Sequence, residues 1–247
     1  MKSILIIAGL DPSGGAGIHA DILTVRSLGF HPSTVITTIT YQNTCRIYDL
    51  HELDSDVVAN QLKSVLEDLN IAGIKIGLIC SYKNAEEISG FIKDLSVPKV
   101  LDPILKSSSG FDFLNTEVYE VLAEVCDVMT PNVYEAEKLS NLRIKSVEDA
   151  KICAKKLAEM FNCSVVITGG SLNGIDVIYD GQTLYELKSE LLDIDVHGTG
   201  CVYSSALTCF LAMGFSLFDS CKMARDFVLK AVGNSKRIGR CLRIVWI

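Results

Sequence analysis

The sequence has few of the residues that mark linkers or polyanion-binding surfaces. Only five of its 247 residues are proline, and no stretch rich in proline, serine or one sign of charge divides the chain. Lys and Arg total 23 against 30 Asp and Glu, so the net charge of −7 argues against nucleic acid or an anionic membrane as a partner. No apolar run approaches membrane-spanning length. We predict a single domain over residues 1–247 in a cytoplasmic protein.

Metal-binding and disulfide-forming residues are also limited in number and spacing. Four histidines are present, and the nine cysteines, scattered from Cys45 to Cys241, are odd in number and never spaced C-x-x-C. This pattern does not predict a Cys/His metal site and favours reduced thiols. The apolar run from Ile4 to Ala8 is too short for a secretory signal, and no cleavage pattern follows it.

Short apolar runs rich in β-branched residues recur between turn residues. They do not alternate strictly with polar residues, which is typical of strands buried on both faces. Two stretches between these runs have the apolar spacing of helices. They are Val58 to Leu69 and, after the N-cap residue Ser146, Val147 to Phe161. This alternation predicts a mostly parallel sheet between helices, with a ligand crevice at the carboxyl ends of the strands. The predicted strands are Ile4–Ala8, Ser33–Thr40, Ile74–Gly77, Lys99–Asp102, Asp127–Thr130 and Ser164–Thr168.

Two further elements are predicted in the C-terminal third. The runs Ile175–Tyr179 and Thr183–Leu187 flank Asp180-Gly181, which is typical of a β-hairpin at a sheet edge. The stretch from Gly200 to about Val232 has the pattern of two helices separated near Gly214.

The segment His197-Gly198-Thr199-Gly200-Cys201 is the most informative motif. Its two glycines let the backbone approach a ligand, and a helix that begins here presents unpaired N–H groups and a partial positive charge. The segment therefore predicts an anion site, in which the same field lowers the pKa of Cys201 and makes it a candidate base. The alternative is a loop before a buried helix, with Cys201 as a small core residue.

Other polar residues follow predicted strands, where such a fold places its site. Ser13–Gly17, with Asp21 one turn further on, suits a nucleotide loop or a tight turn, although it lacks the spacing of known phosphate-binding motifs. Gln42 can pair with a heteroaromatic ring, but its neighbours also suit a turn. Asp102 is placed to reach into the crevice or to cap a turn. Asn132 and Glu135 can hold Mg²⁺ through water or form a capping box.

In this order, the segments resemble the ribokinase-like superfamily and, within it, the bacterial hydroxymethylpyrimidine and hydroxymethylpyrimidine-phosphate kinases of thiamine biosynthesis. The resemblance runs from about Ile4 to Arg237. It implies a three-layer α/β/α sandwich with a mostly parallel sheet and an edge hairpin. It also implies ATP- and Mg²⁺-dependent phosphorylation of 4-amino-5-hydroxymethyl-2-methylpyrimidine and of its monophosphate, in a homodimer. The segments that carry the resemblance are Ala8–Asp21, Gln42–Thr44, Lys75–Gly77, Leu101–Pro103, Thr130–Asn132 with Glu135-Ala136, and His197–Cys201.

The resemblance further implies a role for each candidate site residue. Cys201 is the expected catalytic base, next to an anion hole formed by Gly198, Thr199 and Gly200. The pyrimidine is expected to contact Asp21, Gln42 and Gly9. The phosphates and nucleotide are expected near Asp102, Asn132, Thr168 and Gly170, with Mg²⁺ held by Glu135 and Asn132 through water.

Two departures from the family pattern keep other functions open. Relatives often carry a lysine, expected to neutralise nucleotide phosphates, at the position of Thr168, so another cation such as Lys106 is needed here. A group of bacterial pyridoxal kinases shares the fold and the catalytic cysteine, and some of them carry the same Ile-Thr-Gly-Gly sequence. Pyridoxal kinase activity is therefore the alternative. A non-catalytic pyrimidine-binding protein is the third hypothesis. The tail Gly239–Ile247 also departs from the usual glycine-rich ending.

Overall fold

The computed structural model describes residues 1–107, 110–113, 115–190, 192 and 194–247. Its elements alternate between strands and helices over most of the chain. In chain order they are β1 (Ser3–Leu10), α1 (Gly17–Ser27), β2 (His31–Gln42), β3 (Ile47–Glu52), α2 (Ser55–Asp68), β4 (Ile71–Ile76), α3 (Tyr82–Ile92), β5 (Lys99–Leu101), α4 (Thr116–Ala123), β6 (Val128–Met129), α5 (Val133–Ser140), α6 (Val147–Phe161), β7 (Ser164–Ile167), β8 (Ile175–Tyr179), β9 (Leu184–Lys188), β10 (Val196–His197), α7 (Thr199–Ala212), α8 (Leu217–Gly233) and β11 (Arg243–Ile244).

The central sheet is buried on both faces. Strand β1 shows why, because successive side chains point to opposite sides of a sheet. Ile4 and Ile6 pack with α1, whereas Leu5 and Ile7 belong to the larger cluster formed with α2 to α6. Helices α7 and α8 contribute a third cluster on the α1 side. The expected three-layer α/β/α arrangement is therefore confirmed.

The topology places a crevice at the carboxyl ends of the parallel strands. The strand order is β3-β2-β1-β4-β5-β6-β7-β8-β9, so the chain moves to one side after β1 and returns to the other side at β4. Strands β2, β1, β4, β5, β6 and β7 are mutually parallel. In such a sheet the carboxyl ends of strands on either side of the reversal point leave room for a ligand.

Most predicted elements are confirmed, including the edge hairpin of β8 and β9 and the two C-terminal helices separated at Gly214. Strand β3 was not predicted; it pairs antiparallel with β2 at the other edge. The short parallel pair β10–β11 was also not predicted, and it attaches the C-terminal tail to the strand that leads into α7. Among the described helices, none is long and apolar enough to cross a bilayer.

The expectation of reduced thiols throughout was wrong. Cys45, between β2 and β3, forms a disulfide with Cys241 in the tail, across a sequence separation of 196 residues. The Leu242 N–H also donates to the Thr44 carbonyl at 3.1 Å. The remaining seven cysteines are free. Sequence spacing did not indicate this pair, because only the folded chain brings the tail beside the β2–β3 turn.

Candidate active site

A cavity of about 460 Å³ lies at the carboxyl ends of the parallel strands. This volume is within the range of small-ligand pockets. Every site residue predicted above except Asp21 lines the cavity, although these residues come from six separate segments of the chain. The lining members are Gly9, Gln42, Asp102, Asn132, Glu135, Thr168, Gly170 and the run Gly198–Cys201.

Two glycine-containing loops form one wall, and their close approach requires glycine. Gly198 has φ 91°, and a Cβ added there would lie 2.1 Å from the Gly15 carbonyl oxygen. Gly17 has φ 55°, and its added Cβ would lie 2.4 Å from the Gly9 carbonyl oxygen. Both distances are far below van der Waals contact. A side chain at Gly198 would therefore separate the two loops, and one at Gly17 would push the start of α1 away from the end of β1.

The N-terminus of helix α7 forms part of this wall. Its N-cap residue is Gly198, which has no side chain to cap the helix, and the first bond within the helix runs from the Val202 N–H to the Gly198 carbonyl at 3.0 Å. The amides of Thr199, Gly200 and Cys201 precede that bond, so they have no partner within the helix. Together with the helix dipole they provide the positive field that an anion site needs.

Cys201 lies in the first turn of α7 and is almost completely buried. Burial raises the pKa of its thiol to about 12, and this effect outweighs the opposing influence of the Lys75 ammonium group and a hydrogen bond from the Gly17 backbone N–H. The expectation of a lowered pKa was therefore wrong. The sequence indicated the helix N-terminus correctly but not the depth of burial.

A buried ion pair lies behind the thiol. Lys75 Nζ donates to Asp21 Oδ2 at 2.8 Å, and both side chains are fully buried. The other Asp21 oxygen accepts from Ser205 Oγ at 2.7 Å, so both carboxylate oxygens are bonded inside the protein. Although burial disfavours the ammonium charge, the Asp21 carboxylate raises the pKa of Lys75 above its usual value. The expected contact between Asp21 and substrate stays a prediction.

Lys75 is a residue to which sequence reasoning assigned no role. It lines the cavity, and Cys201 and Asp102 both lie close enough to affect its charge. A signal was present, because a single lysine stands between two isoleucines in a strand that reads as buried. Such a lysine needs an anionic partner.

Two further carboxyl groups, those of Asp102 and Glu135, line the cavity, and neither forms a direct ion pair with a described residue. Asp102 accepts from Ser204 Oγ at 3.1 Å, and burial raises its pKa to about 6. Burial and the nearby Asp102 raise the pKa of Glu135 to about 8. Two buried carboxylates that repel each other provide a favourable place for a divalent cation.

Asn132 and Glu135 begin α5 as a capping box. The Glu135 N–H donates to Asn132 Oδ1 at 3.0 Å, and the Asn132 N–H donates to Glu135 Oε2 at 2.8 Å. The capping alternative raised from the sequence is thus confirmed. It is compatible with Mg²⁺, since each oxygen retains a lone pair and Mg²⁺ commonly keeps its water ligands. The donor chemistry of this site fits the ion when it is bound through water.

The other end of the cavity is lined by the loop after β7. Thr168 and Gly170 lie here, and the Gly169 N–H donates to the buried Asp176 at 2.6 Å. Arg225 of α8 also lines the cavity and forms a two-point ion pair with Asp176. Lys106 lies on the rim, with its Nζ 5.4 Å from the centroid of the Tyr134 ring.

The chain matches a family of known kinases over almost its whole length. Residues 11–246 match the model of the family described as phosphomethylpyrimidine kinase. The hydroxymethylpyrimidine/phosphomethylpyrimidine kinase of Aquifex aeolicus is 40% identical over 250 residues, which cover 98% of each chain. The chain belongs to this family. It is therefore related to phosphotransferases.

Solved structures show the same fold in kinases of two substrates. The pyridoxal kinase of Staphylococcus aureus in complex with pyridoxal has a TM-score of 0.91 and 30% identity, and the match covers 100% of this chain and 93% of that one. The phosphomethylpyrimidine kinase of Clostridium difficile has a TM-score of 0.81 and 30% identity over 94% of this chain and 99% of its own. The fold by itself therefore does not determine which of the two substrates is phosphorylated.

Proposed function

We propose that the protein transfers the γ-phosphoryl group of ATP to the hydroxymethyl oxygen of 4-amino-5-hydroxymethyl-2-methylpyrimidine, and then phosphorylates the monophosphate to the diphosphate. The observation that carries the proposal is the position of Cys201, in the open first turn of α7, within a cavity that Gln42 and Asp102 also line. Family membership supports the reaction. The pyrimidine contacts Gln42 and Gly9, and the nucleotide contacts Thr168 and Gly170.

In the proposed transfer, the hydroxymethyl oxygen forms a bond to the γ-phosphorus while the bond to the bridging oxygen of ADP breaks. The hydroxyl proton passes to the thiolate of Cys201. The Gly17 N–H, the Lys75 ammonium and the α7 N-terminus stabilise this thiolate, while the amides from Gly198 to Cys201 bind the phosphoryl oxygens. Asn132 and Glu135 would hold Mg²⁺ through water, and the bound ion would supply additional positive charge to those oxygens. Homodimeric assembly and a cytoplasmic location stay predictions.

A direct assay tests the proposal. Purified protein with ATP and Mg²⁺ is offered the pyrimidine alcohol, its monophosphate and pyridoxal in separate reactions, and the products are resolved by mass. We expect the monophosphate and diphosphate of the pyrimidine. Binding without any product would support the non-catalytic hypothesis instead.

Pyridoxal kinase activity is the second candidate, because the S. aureus enzyme has the high structural similarity given above. The role of Gln42 distinguishes pyrimidine kinase activity from pyridoxal kinase activity. Its amide can donate and accept toward a ring nitrogen and an adjacent amino group, and an unpaired group in a closed site costs on the order of 1–3 kcal/mol. We expect Gln42→Leu to lower kcat/KM for the pyrimidine much more than for pyridoxal. Equal losses on both substrates would contradict the role of Gln42.

A further inference from the structure

His197 connects the substrate side of the cavity to a buried carboxylate. Its Nε2 lies 3.2 Å from Asp11 Oδ2 and 2.9 Å from Gln42 Nε2. His197 and Asp11 are both buried, and all three residues line the cavity. No role in the proposed reaction has yet been assigned to either His197 or Asp11.

The carboxylate of Asp11 determines which nitrogen of the His197 ring carries the proton. Asp11 is anionic, because hydrogen bonds from His197 and Ser13 lower its pKa in spite of burial. A carboxylate only accepts, so Nε2 must be the protonated nitrogen. The other ring nitrogen, Nδ1, is buried without a hydrogen-bond partner in the described part of the chain, and it is therefore the worse place for a proton.

The orientation of the Gln42 amide then follows from its two neighbours. Thr40 Oγ1 lies 3.2 Å from Gln42 Oε1, and its single proton goes to the Leu10 carbonyl at 3.0 Å. The Thr40 hydroxyl oxygen and the Gln42 amide oxygen thus face each other as two acceptors. The Gln42 amide nitrogen and the protonated Nε2 of His197 face each other as two donors. After a half-turn of the amide, its nitrogen donates to Thr40. Its oxygen then shares the single Nε2–H of His197 with Asp11 Oδ2 in a three-centre hydrogen bond.

We infer that His197, oriented by Asp11, is a positioning residue that holds the Gln42 amide with its oxygen toward the His197 ring. This arrangement leaves one N–H and one oxygen lone pair of the amide for a ligand. The N–H can donate to a ring nitrogen of the ligand, and the oxygen can accept from an adjacent amino group. The inference rests on the proposed function, and it assigns discrimination between heteroaromatic alcohols to the chain Asp11–His197–Gln42.

The test combines spectroscopy with substrate comparison. We expect ¹⁵N-resolved NMR of the protein without substrate to show a proton on Nε2 of His197, assigned by the loss of the ring signals in His197→Phe. His197→Phe should lower kcat/KM for the pyrimidine roughly tenfold or more, with a smaller change for pyridoxal and an unchanged KM for ATP. His197→Gln, which keeps a donor near the position of Nε2, should restore most of the loss.

The exposed residue His51 in β3 provides the matched control. His51→Gln should leave kcat/KM unchanged for both the pyrimidine and pyridoxal. Protonation of His197 at Nδ1 alone, or equal losses on both substrates in His197→Phe, would overturn the inference. If His197→Phe does not fold, the tautomer of the native protein and the kinetics of His197→Gln still decide it. Absence of any phosphorylated product from the native protein would refute the proposed function, while the tautomer measurement would still test the hydrogen-bond chain.

Discussion

The thiol of Cys201 combines a position suited to catalysis with a pKa that opposes it. Because burial raises that pKa to about 12, the thiolate fraction increases tenfold for each pH unit over the neutral range. We predict that kcat rises with pH from 6 to 9 in the native protein. In Cys201→Ala, kcat should be lower by roughly 10²–10⁴-fold, with no such rise.

Steady-state kinetics at several pH values, with unfolding curves for both proteins, provide the measurement. The methyl group of alanine cannot accept a proton, but it fills most of the same space, so substrate binding should be retained. Unchanged turnover in Cys201→Ala would show that the cysteine is a core-packing residue.

Glu135 gives a prediction on the pH dependence of stability. Its pKa of about 8 in the ligand-free fold is above the usual 4.5, so between these values the folded state holds a proton that the unfolded state has lost. The contribution of Glu135 to stability therefore decreases as pH rises through this window. We expect Glu135→Gln to reduce the slope of unfolding free energy against pH between 5 and 8, measured by denaturant titration.

The same variant tests the metal role. Glutamine retains an oxygen for the capping bond to the Asn132 N–H, so α5 should stay formed. Loss of the charge should raise the Mg²⁺ concentration needed for half-maximal turnover. A normal Mg²⁺ requirement with lost stability would assign Glu135 to the helix cap alone.

At the scale of elements, the β7–β8 loop and the segment after β5 converge on the end of the cavity that we propose to bind the nucleotide. Thr168 takes the place of the lysine expected from the family, and Lys106 lies on the rim of the same cavity. We predict that Thr168→Lys lowers the KM for ATP and raises kcat, because a partly desolvated ammonium group interacts strongly with phosphate. Lys106→Ala should have the opposite effect.

Both variants are compared at saturating pyrimidine, so that changes reflect the nucleotide site. Lys138 is a suitable control for Lys106, since its Nζ lies 5.5 Å from the same Tyr134 ring but it does not line the cavity. If Thr168→Lys improves neither constant and Lys106→Ala does no harm, another group neutralises the phosphates. Arg225 is the next residue to substitute, because it lines the same cavity.

At the scale of the whole molecule, the disulfide joins parts of the chain that are 196 residues apart in sequence. Disulfides across long loops stabilise by about 2–4 kcal/mol, mainly by restricting the unfolded chain. We predict that replacement of both Cys45 and Cys241 by serine lowers Tm by roughly 5–10 °C. Calorimetry with and without reductant is the measurement. Reductant should lower the Tm of the native protein by the same amount and leave the double variant unchanged.

The sequence by itself determined the alternation of most strands and helices, the edge hairpin and many of the cavity-lining positions. These features follow from local patterns, because apolar periodicity and turn residues act over a few neighbouring positions and parallel strands present their carboxyl ends at one edge. Gly198, Gln42 and Glu135 were found in this way. Only the tertiary structure decided the Asp21–Lys75 ion pair, the raised pKa of Cys201, the hydrogen bonds of His197 and the disulfide. Each depends on burial or on contacts between distant segments, which exist only after the chain has folded.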